Sequence, residues 1–307
     1  MAINDINLTA AMRSNLLSLQ NTQKLMDMTQ NRLATGLKVN SALDNPSAFF
    51  AAKSLNQRAG DLDSLLDSMG QAIQTLKAAD EGITAATKFV QQAKAIAEQA
   101  SELVAGGADP TADAEVLKLA LDYSKVLNKL EDLIGNSGYK GINLLKGDGN
   151  SGASATSDSV TLKVYFAEGD RSTAANLELV GQDATALGLG FTSTGADSGT
   201  GNWVKDTSSV AWADLDAVNG SINEAIKATD ILRSLASGFS TDYNIVANRE
   251  EFTENLINVL TEGANKLTLA DMNEESANML ALQTRQQLGV NSLSLASQAA
   301  QSVLRLF

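Results

Sequence analysis

The C-terminal stretch from Met272 to Phe307 reads MNEESANMLALQTRQQLGVNSLSLASQAAQSVLRLF. Positions 272, 275, 279, 282, 286, 289, 293, 296, 300, 303 and 307 advance by alternating steps of three and four, and they carry Met272, Met279, Leu282, Leu293, Ala296, Ala300, Val303 and Phe307. Such steps trace one line along a helix, the seam of a coiled coil. From Ser276 onward the only charges are Arg285 and Arg305, so the remaining surface is largely Gln, Ser and Asn. That composition suits a helix crowded by neighbours, where unpaired charge is costly.

The opposite end of the chain mirrors this pattern. Positions 12, 16, 19, 23, 26, 30, 33 and 37 carry Met12, Leu16, Leu19, Met26, Leu33 and Leu37, with Gln23 and Gln30 between them. Gly36 suits a left-handed helix C-terminus, and Asn45 before Pro46 is driven towards an extended conformation, so residues 36–45 read as a linker. Two terminal helices of this kind have little else in their own chain to bury against. A buried Leu or Met is worth roughly 1.5–3 kcal/mol, so the stripes are expected to bury against other copies and to stay poorly ordered before assembly.

Between the ends the helical pattern continues. Pro46 fits the first position of a long helix capped by Asp44 or Asn45, with a line through Leu62, Leu66, Met69, Ile73, Leu76, Ile83, Val90 and Ala97 that ends at Gly106 and Gly107. Asp109 and Pro110 repeat the cap-plus-proline start, and Val116, Leu119, Tyr123, Val126, Leu130 and Leu133 predict a third helix stopping at Gly135. From Gly147 to Asp216 the texture turns to Gly, Ser and Thr, with strands predicted at Val160–Phe166 and Asn176–Val180. This window holds ten acidic and three basic residues, so most of the chain's charge of −13 is concentrated in an acidic, β-rich insert. From Leu215 the heptad returns through Val218, Ile222, Ala225, Leu232, Phe239, Tyr243 and Val246 to Leu260, with Gly263 as a hinge. The expected fold is mainly α: a long α-helical coiled-coil bundle formed by the N- and C-terminal parts, with a small β-rich insert in the middle.

Composition narrows the function. The chain has no Cys and no His, which removes disulfides, the usual zinc ligand sets and His-dependent nucleophiles. The negative charge argues against nucleic acid, and no stretch approaches the roughly 20 apolar residues of a membrane span. The N-terminal residues lack the basic cluster and small-residue site of a cleaved secretory signal, which points to the cytoplasm or to an unusual export route. Glu250 with Glu251, and Glu274 with Glu275, read as solvated helix faces, since adjacent helical residues do not converge. The GLGF run at Gly188–Phe191 is followed by no helix and is a weak nucleotide loop. Ser151, Ser154, Thr156, Ser193 and Thr194 are candidate acceptors of O-linked sugars. Catalytic, cofactor and metal residues are all expected to be absent.

Several motifs at both ends resemble bacterial flagellin. They are Asn15–Gln20 (NLLSLQ), Arg32–Gly36 (RLATG), Leu37–Phe49 (LKVNSALDNPSAF), Tyr139–Leu145 (YKGINLL), Arg249–Thr253 (REEFT), Asn265–Asp271 (NKLTLAD) and Asn273–Leu295. The resemblance covers roughly the first 146 and last 95 residues and omits the insert. It implies a subunit of the extracellular flagellar filament, exported unfolded without cleavage and polymerised as a homopolymer. An export chaperone and the filament cap and junction proteins are the implied partners, with no nucleic acid and no membrane insertion. The implied division is 1–43 plus 264–307 as the inner core domain, 44–146 plus 212–263 as the long-helix domain, and 147–211 as the outer domain. Its implied assembly residues are Met12, Leu16, Leu19, Met26, Leu33, Met279, Leu282, Leu293, Ala296, Ala300, Val303 and Phe307. In flagellins detected by the innate-immune receptor, an Arg- and Glu-bearing segment of the first long helix makes the contact. The matching stretch here, Val90–Ala100, has Gln92 and Ala95 in place of an arginine and a glutamate, with Ile96 beside them, so weak signalling is expected. The rival readings are a hook–filament junction protein of the same family, an enzyme carried in the insert, and a surface adhesin.

Overall fold

The structure is a computed structural model and describes residues 10–146, 161–168, 175–191 and 212–304. Their elements are α1 (Ala10–Thr35), α2 (Pro46–Ala105), α3 (Ala114–Asn136), β1 (Thr161–Tyr165), β2 (Asn176–Val180), α4 (Leu215–Thr268) and α5 (Met272–Leu304). They form two compact units, one drawn from Met1–Ala59 and Asn258–Phe307, the other from Gly60–Ile257. Both α2 and α4 contribute residues to each unit.

In the unit of Gly60–Ile257, α2 presents Met69, Ile73, Leu76, Ala79, Ile83, Ala86, Val90, Ala93 and Ala97, all buried. The small alanines let the helices of a shared cluster approach closely, and α3 adds Tyr123, Leu127 and Leu130 while α4 adds Val218, Ala225 and Leu232. The YKGINLL motif closes α3 back onto α2. Lys140 and Gly141 both take positive φ (48° and 83°) inside the paired Tyr139 and Ile142, a tight turn in which glycine removes strain. Asn143 then ties the turn to the helix end, donating to Ile134 O at 2.6 Å and accepting from Leu145 N at 2.9 Å. This turn lies so close to α2 that a Cβ on Gly82 would sit 2.6 Å from Leu145 Cδ1 and 2.9 Å from Ser137 Cβ.

The described part of the insert is docked on this core. Strands β1 and β2 pair antiparallel, with Leu162 opposite Leu179 and Val164 opposite Leu177. The backbone of Gln182 and Ala184 donates to Leu144 O and Leu145 O, and Val164, Leu179, Phe191 and Trp212 join the helical cluster. Trp212 is fully buried, donates its indole N–H to Ser221 Oγ at 2.9 Å, and meets the Tyr123 ring edge-on at 5.6 Å. Burial pushes the Tyr123 phenol above its ordinary range. The Arg249 guanidinium of the REEFT motif lies over the Phe166 ring, 5.4 Å from its centroid.

Some expectations are corrected. Helix α3 starts at Ala114 with Asp113 as cap, its Oδ1 accepting from Glu115 N, and ends one residue past Gly135. Asp109 is instead spent on a separate turn, accepting from Thr111 N and Thr111 Oγ1, so Pro110 precedes the helix. Helix α4 runs unbroken through Gly263. The GLGF run is a turn: Gly190 takes φ 87°, and a Cβ on Gly188 would collide with the Asp183 carbonyl oxygen. Ser151, Ser154, Thr156, Ser193 and Thr194 lie outside the described residues.

Candidate functional site

The terminal unit is built on α1 and α5, which pack against each other. They run antiparallel: Leu19 faces Gly289, Gln23 receives a hydrogen bond from Gln286 Nε2 at 2.8 Å, and Arg32 reaches Glu275. Along α5 the inward line is Glu275, Met279, Leu282, Gln286, Gly289, Leu293 and Ala296, while the residues between them are mostly exposed. That line coincides with the heptad positions read from the sequence. Met272, at its start, is 46% exposed. The side chains of Ala300, Val303 and Phe307 lie outside the described residues.

On α1 the line differs from expectation. Met12, Leu19, Met26 and Leu33 are half-buried as the pattern required, but Asn15, Thr22 and Thr29 turn inward where Leu16, Gln23 and Gln30 were expected. Thr22 and Thr29 are 4% and 5% exposed, and Thr22 meets its own hydroxyl need by donating to Ser18 O at 2.9 Å. Both sequences of steps average 3.5 residues. A threonine in the seam lets two helix backbones approach more closely than glutamine, and Gly289 opposite Leu19 reflects the same closeness, since a Cβ there would stand 2.9 Å from Leu19 Cδ1. Leu16 is therefore outward, 41% exposed.

A polar clasp closes the open end of this pair. Gly36 takes φ 72° and donates to Arg32 O, which ends α1 in a left-handed cap. The strand-like residues beyond it pair with the end of α4: Leu37 bridges Leu269, Lys38 N donates to Thr268 O at 2.8 Å, and Ala270 N donates to Gly36 O at 2.9 Å. Asp271 caps α5, accepting from Asn273 N at 2.9 Å, and one turn later Glu275 accepts from Arg32 Nη1 at 2.8 Å. Glu275 is 7% exposed, so the solvated face expected for it is overturned. A signal existed in the sequence, because position 275 lies on the seam and a carboxylate there requires a cation.

The RLATG, NKLTLAD and LKVNSALDNPSAF motifs thus supply the clasp. In the last of them Asn45 caps α2, accepting from Ala48 N at 3.1 Å. Asp44 braces the preceding turn with Oδ2, which accepts from Asn40 N, Ser41 N and Ser41 Oγ. The backbone bonds from Ser41 and Asn40 hold its carboxyl below the ordinary aspartate value. A groove of about 520 Å³ beside the clasp is lined by Arg32, Lys38 and Lys266 and by Asp44, Asp271, Glu274 and Glu275. Its charges nearly cancel, and among the described residues no group of three or more acidic side chains is placed so that it could hold a metal ion.

The pairing of α1 with α5 consumes the seams inside one chain and leaves a second apolar set outside. Leu17 (63% exposed), Leu25 and Met28 stand outward on α1, and Leu280 (66%), Leu288 (64%) and Leu295 (67%) stand outward on α5. Sequence reading passed over this set because the heptad line accounted for the helices without it; the eight- and seven-residue spacing of 280, 288 and 295 was the available signal. In the other unit Gln92 and Ala95 are exposed on α2 and Ile96 is half-buried against the core. Among the described residues no helix is long and apolar enough to cross a membrane.

The family model described as the bacterial flagellin N-terminal helical region matches residues 3–150, and that for the C-terminal helical region matches residues 220–307, together more than half of the chain. The chain is similar to Flagellin FljM of Caulobacter vibrioides, 26% identical over 307 residues with 100% of each chain covered. It is also similar to a flagellin of Brucella melitensis biotype 1, 28% identical over 302 residues with 95% of each covered. A crystal structure of Bacillus cereus flagellin aligns over 61% of this chain and 88% of that chain, with TM-score 0.43 and 13% identity.

Proposed function

The chain belongs to the bacterial flagellin family, the structural subunits of the extracellular flagellar filament, and on that premise we propose that it polymerises through the outward face of its terminal helix pair. The observation that carries this reading is the exposed set Leu17, Leu25, Met28, Leu280, Leu288 and Leu295. Large apolar side chains left exposed in number on one helix pair are available to bury against a partner. Burying each is worth roughly 1.5–3 kcal/mol, and a subunit repeats the gain with every neighbour.

The seam residues then act one step earlier. Met12, Leu19, Met26, Leu33, Met279, Leu282, Leu293 and Ala296 hold α1 against α5, and Leu16 belongs with the outward set. Ala300, Val303 and Phe307 continue the heptad pattern in the sequence alone. Closing the clasp from Arg32 to Glu275 fixes the register in which the two helices expose their outer apolar side chains. The protein is non-enzymatic in this account, supported by the lack of Cys and His and of any catalytic motif. It is exported without signal cleavage, with a chaperone on its C-terminal segment and with cap and junction proteins as further partners. The junction-protein alternative is not favoured, since the relatives it matches are named flagellins. Substituting Leu288 or Leu295 by Ser tests the reading: assembly should fail while helix content is kept.

A further inference from the structure

We propose that Leu43 is a knob by which each subunit enters a groove between α2 and α4 of a second copy, floored by Leu76 and Phe239 and walled by Tyr243. This rests on the filament reading above and goes beyond it by naming one contact.

Leu43 is 95% exposed, more than any other large apolar side chain among the described residues. It is also held still. Its own N–H donates to Ser41 Oγ at 3.3 Å, and the next residue, Asp44, accepts three hydrogen bonds on one carboxylate oxygen at 2.9–3.2 Å. A braced loop loses little freedom on docking, so an apolar tip on it is pre-organised for contact. The groove holds about 190 Å³ and is rimmed by Lys77, Asp80 and Ser240. An apolar cavity of about 150 Å³ accepts a benzene-sized group, so an isobutyl side chain fits. Lys77 Nζ lies 5.9 Å from the Tyr243 ring centroid on this rim, where its charge offsets the repulsion that Asp80 would set against Asp44. Knob and groove are different surfaces of the same chain. Contacts of that type do not close on themselves as a two-fold dimer does, and they propagate into an open helical assembly.

The chain has no cysteine, which makes a pairwise test clean. Protein carrying Leu43→Cys is co-assembled with protein carrying Ser240→Cys, filaments are verified by electron microscopy, and the sample is oxidised and run on a non-reducing gel. A disulfide needs Cα atoms within about 7 Å, so a linked dimer reports direct proximity. The expected result is a dimer in mixed filaments and none in filaments of either variant alone. In parallel, Leu43→Ser should raise the critical concentration for assembly at least about tenfold. Mixed filaments without the dimer, or Leu43→Ser assembling at the unsubstituted concentration, would overturn the contact while leaving the filament reading intact. Failure of the unsubstituted chain to form filaments would instead overturn the filament reading, and this contact with it.

Discussion

Arg32 donates to Glu275 at 2.8 Å across 243 residues of sequence, joining the last turn of α1 to the first turn of α5. Removing one partner of a buried pair leaves an uncompensated charge, whereas replacing both by apolar groups is often neutral. The Glu275 side chain is 9% exposed and that of Arg32 is 32% exposed, so part of the penalty is relieved by water. Arg32→Ala should destabilise the terminal unit by about 2–3 kcal/mol, and Arg32→Leu combined with Glu275→Leu should recover most of it. A double-mutant cycle on urea disassembly of filaments measures both. Additive single effects would show that the pair is not coupled.

Gly82 is a packing requirement of the other unit. Alanine would gain about 1 kcal/mol of helix propensity there. It would also force a Cβ into Ser137 and Leu145, and overpacking costs about 1–3 kcal/mol. Gly82→Ala should therefore lower the unfolding midpoint of soluble protein, and a raised midpoint would contradict the packing described for the YKGINLL turn.

Glu131 Oε2 accepts from Ala186 N at 3.2 Å, linking α3 to the insert. Burial raises its pKa above the ordinary glutamate value, the Ala186 bond opposes this, and neighbouring Asp183 adds to the rise; burial raises Asp242 likewise. A carboxyl with a raised folded pKa binds protons more readily folded than unfolded. Stability thus grows as pH falls through the folded pKa and is fully gained below the unfolded value. Glu131→Gln keeps an acceptor for Ala186 and removes the ionisation. Urea midpoints at pH 7 and pH 5 should show a smaller acid gain than in the unsubstituted protein, with Asp242 supplying the remainder.

We propose that Val90–Ala100 corresponds to the segment that contacts the innate-immune receptor in detected flagellins, and this gives a prediction of a different kind. With Gln92 and Ala95 exposed on α2 in place of an arginine and a glutamate, purified monomer should signal weakly in an innate-receptor reporter cell. Restoring both residues by Gln92→Arg and Ala95→Glu should raise the response. An equally strong response from the unsubstituted chain would refute the assignment.

Much of this was legible in sequence because it depends on local rules. Proline and cap residues marked the start of α2, and strict heptads marked the inward line of α5. The line of α1 was not, because Asn15 competes with Leu16, and Thr22 with Gln23, for the same step of the seam, and the outcome depends on how closely α5 approaches. Glu275 was misread for a related reason: adjacency on a helix says nothing about a partner 243 residues away. The outward stripe of Leu280, Leu288 and Leu295 became visible once the seams were seen to satisfy each other. Pro110 misled because Asp109 serves its own turn equally well.

The central claim is that the outer stripe drives polymerisation after the seams have closed. Its most direct test is the critical concentration of the Leu288→Ser/Leu295→Ser double variant, by sedimentation with electron microscopy, beside circular dichroism of the monomer. The account predicts unchanged helix content and no filaments at concentrations where the unsubstituted chain assembles fully. Filaments forming at the unsubstituted critical concentration would contradict it.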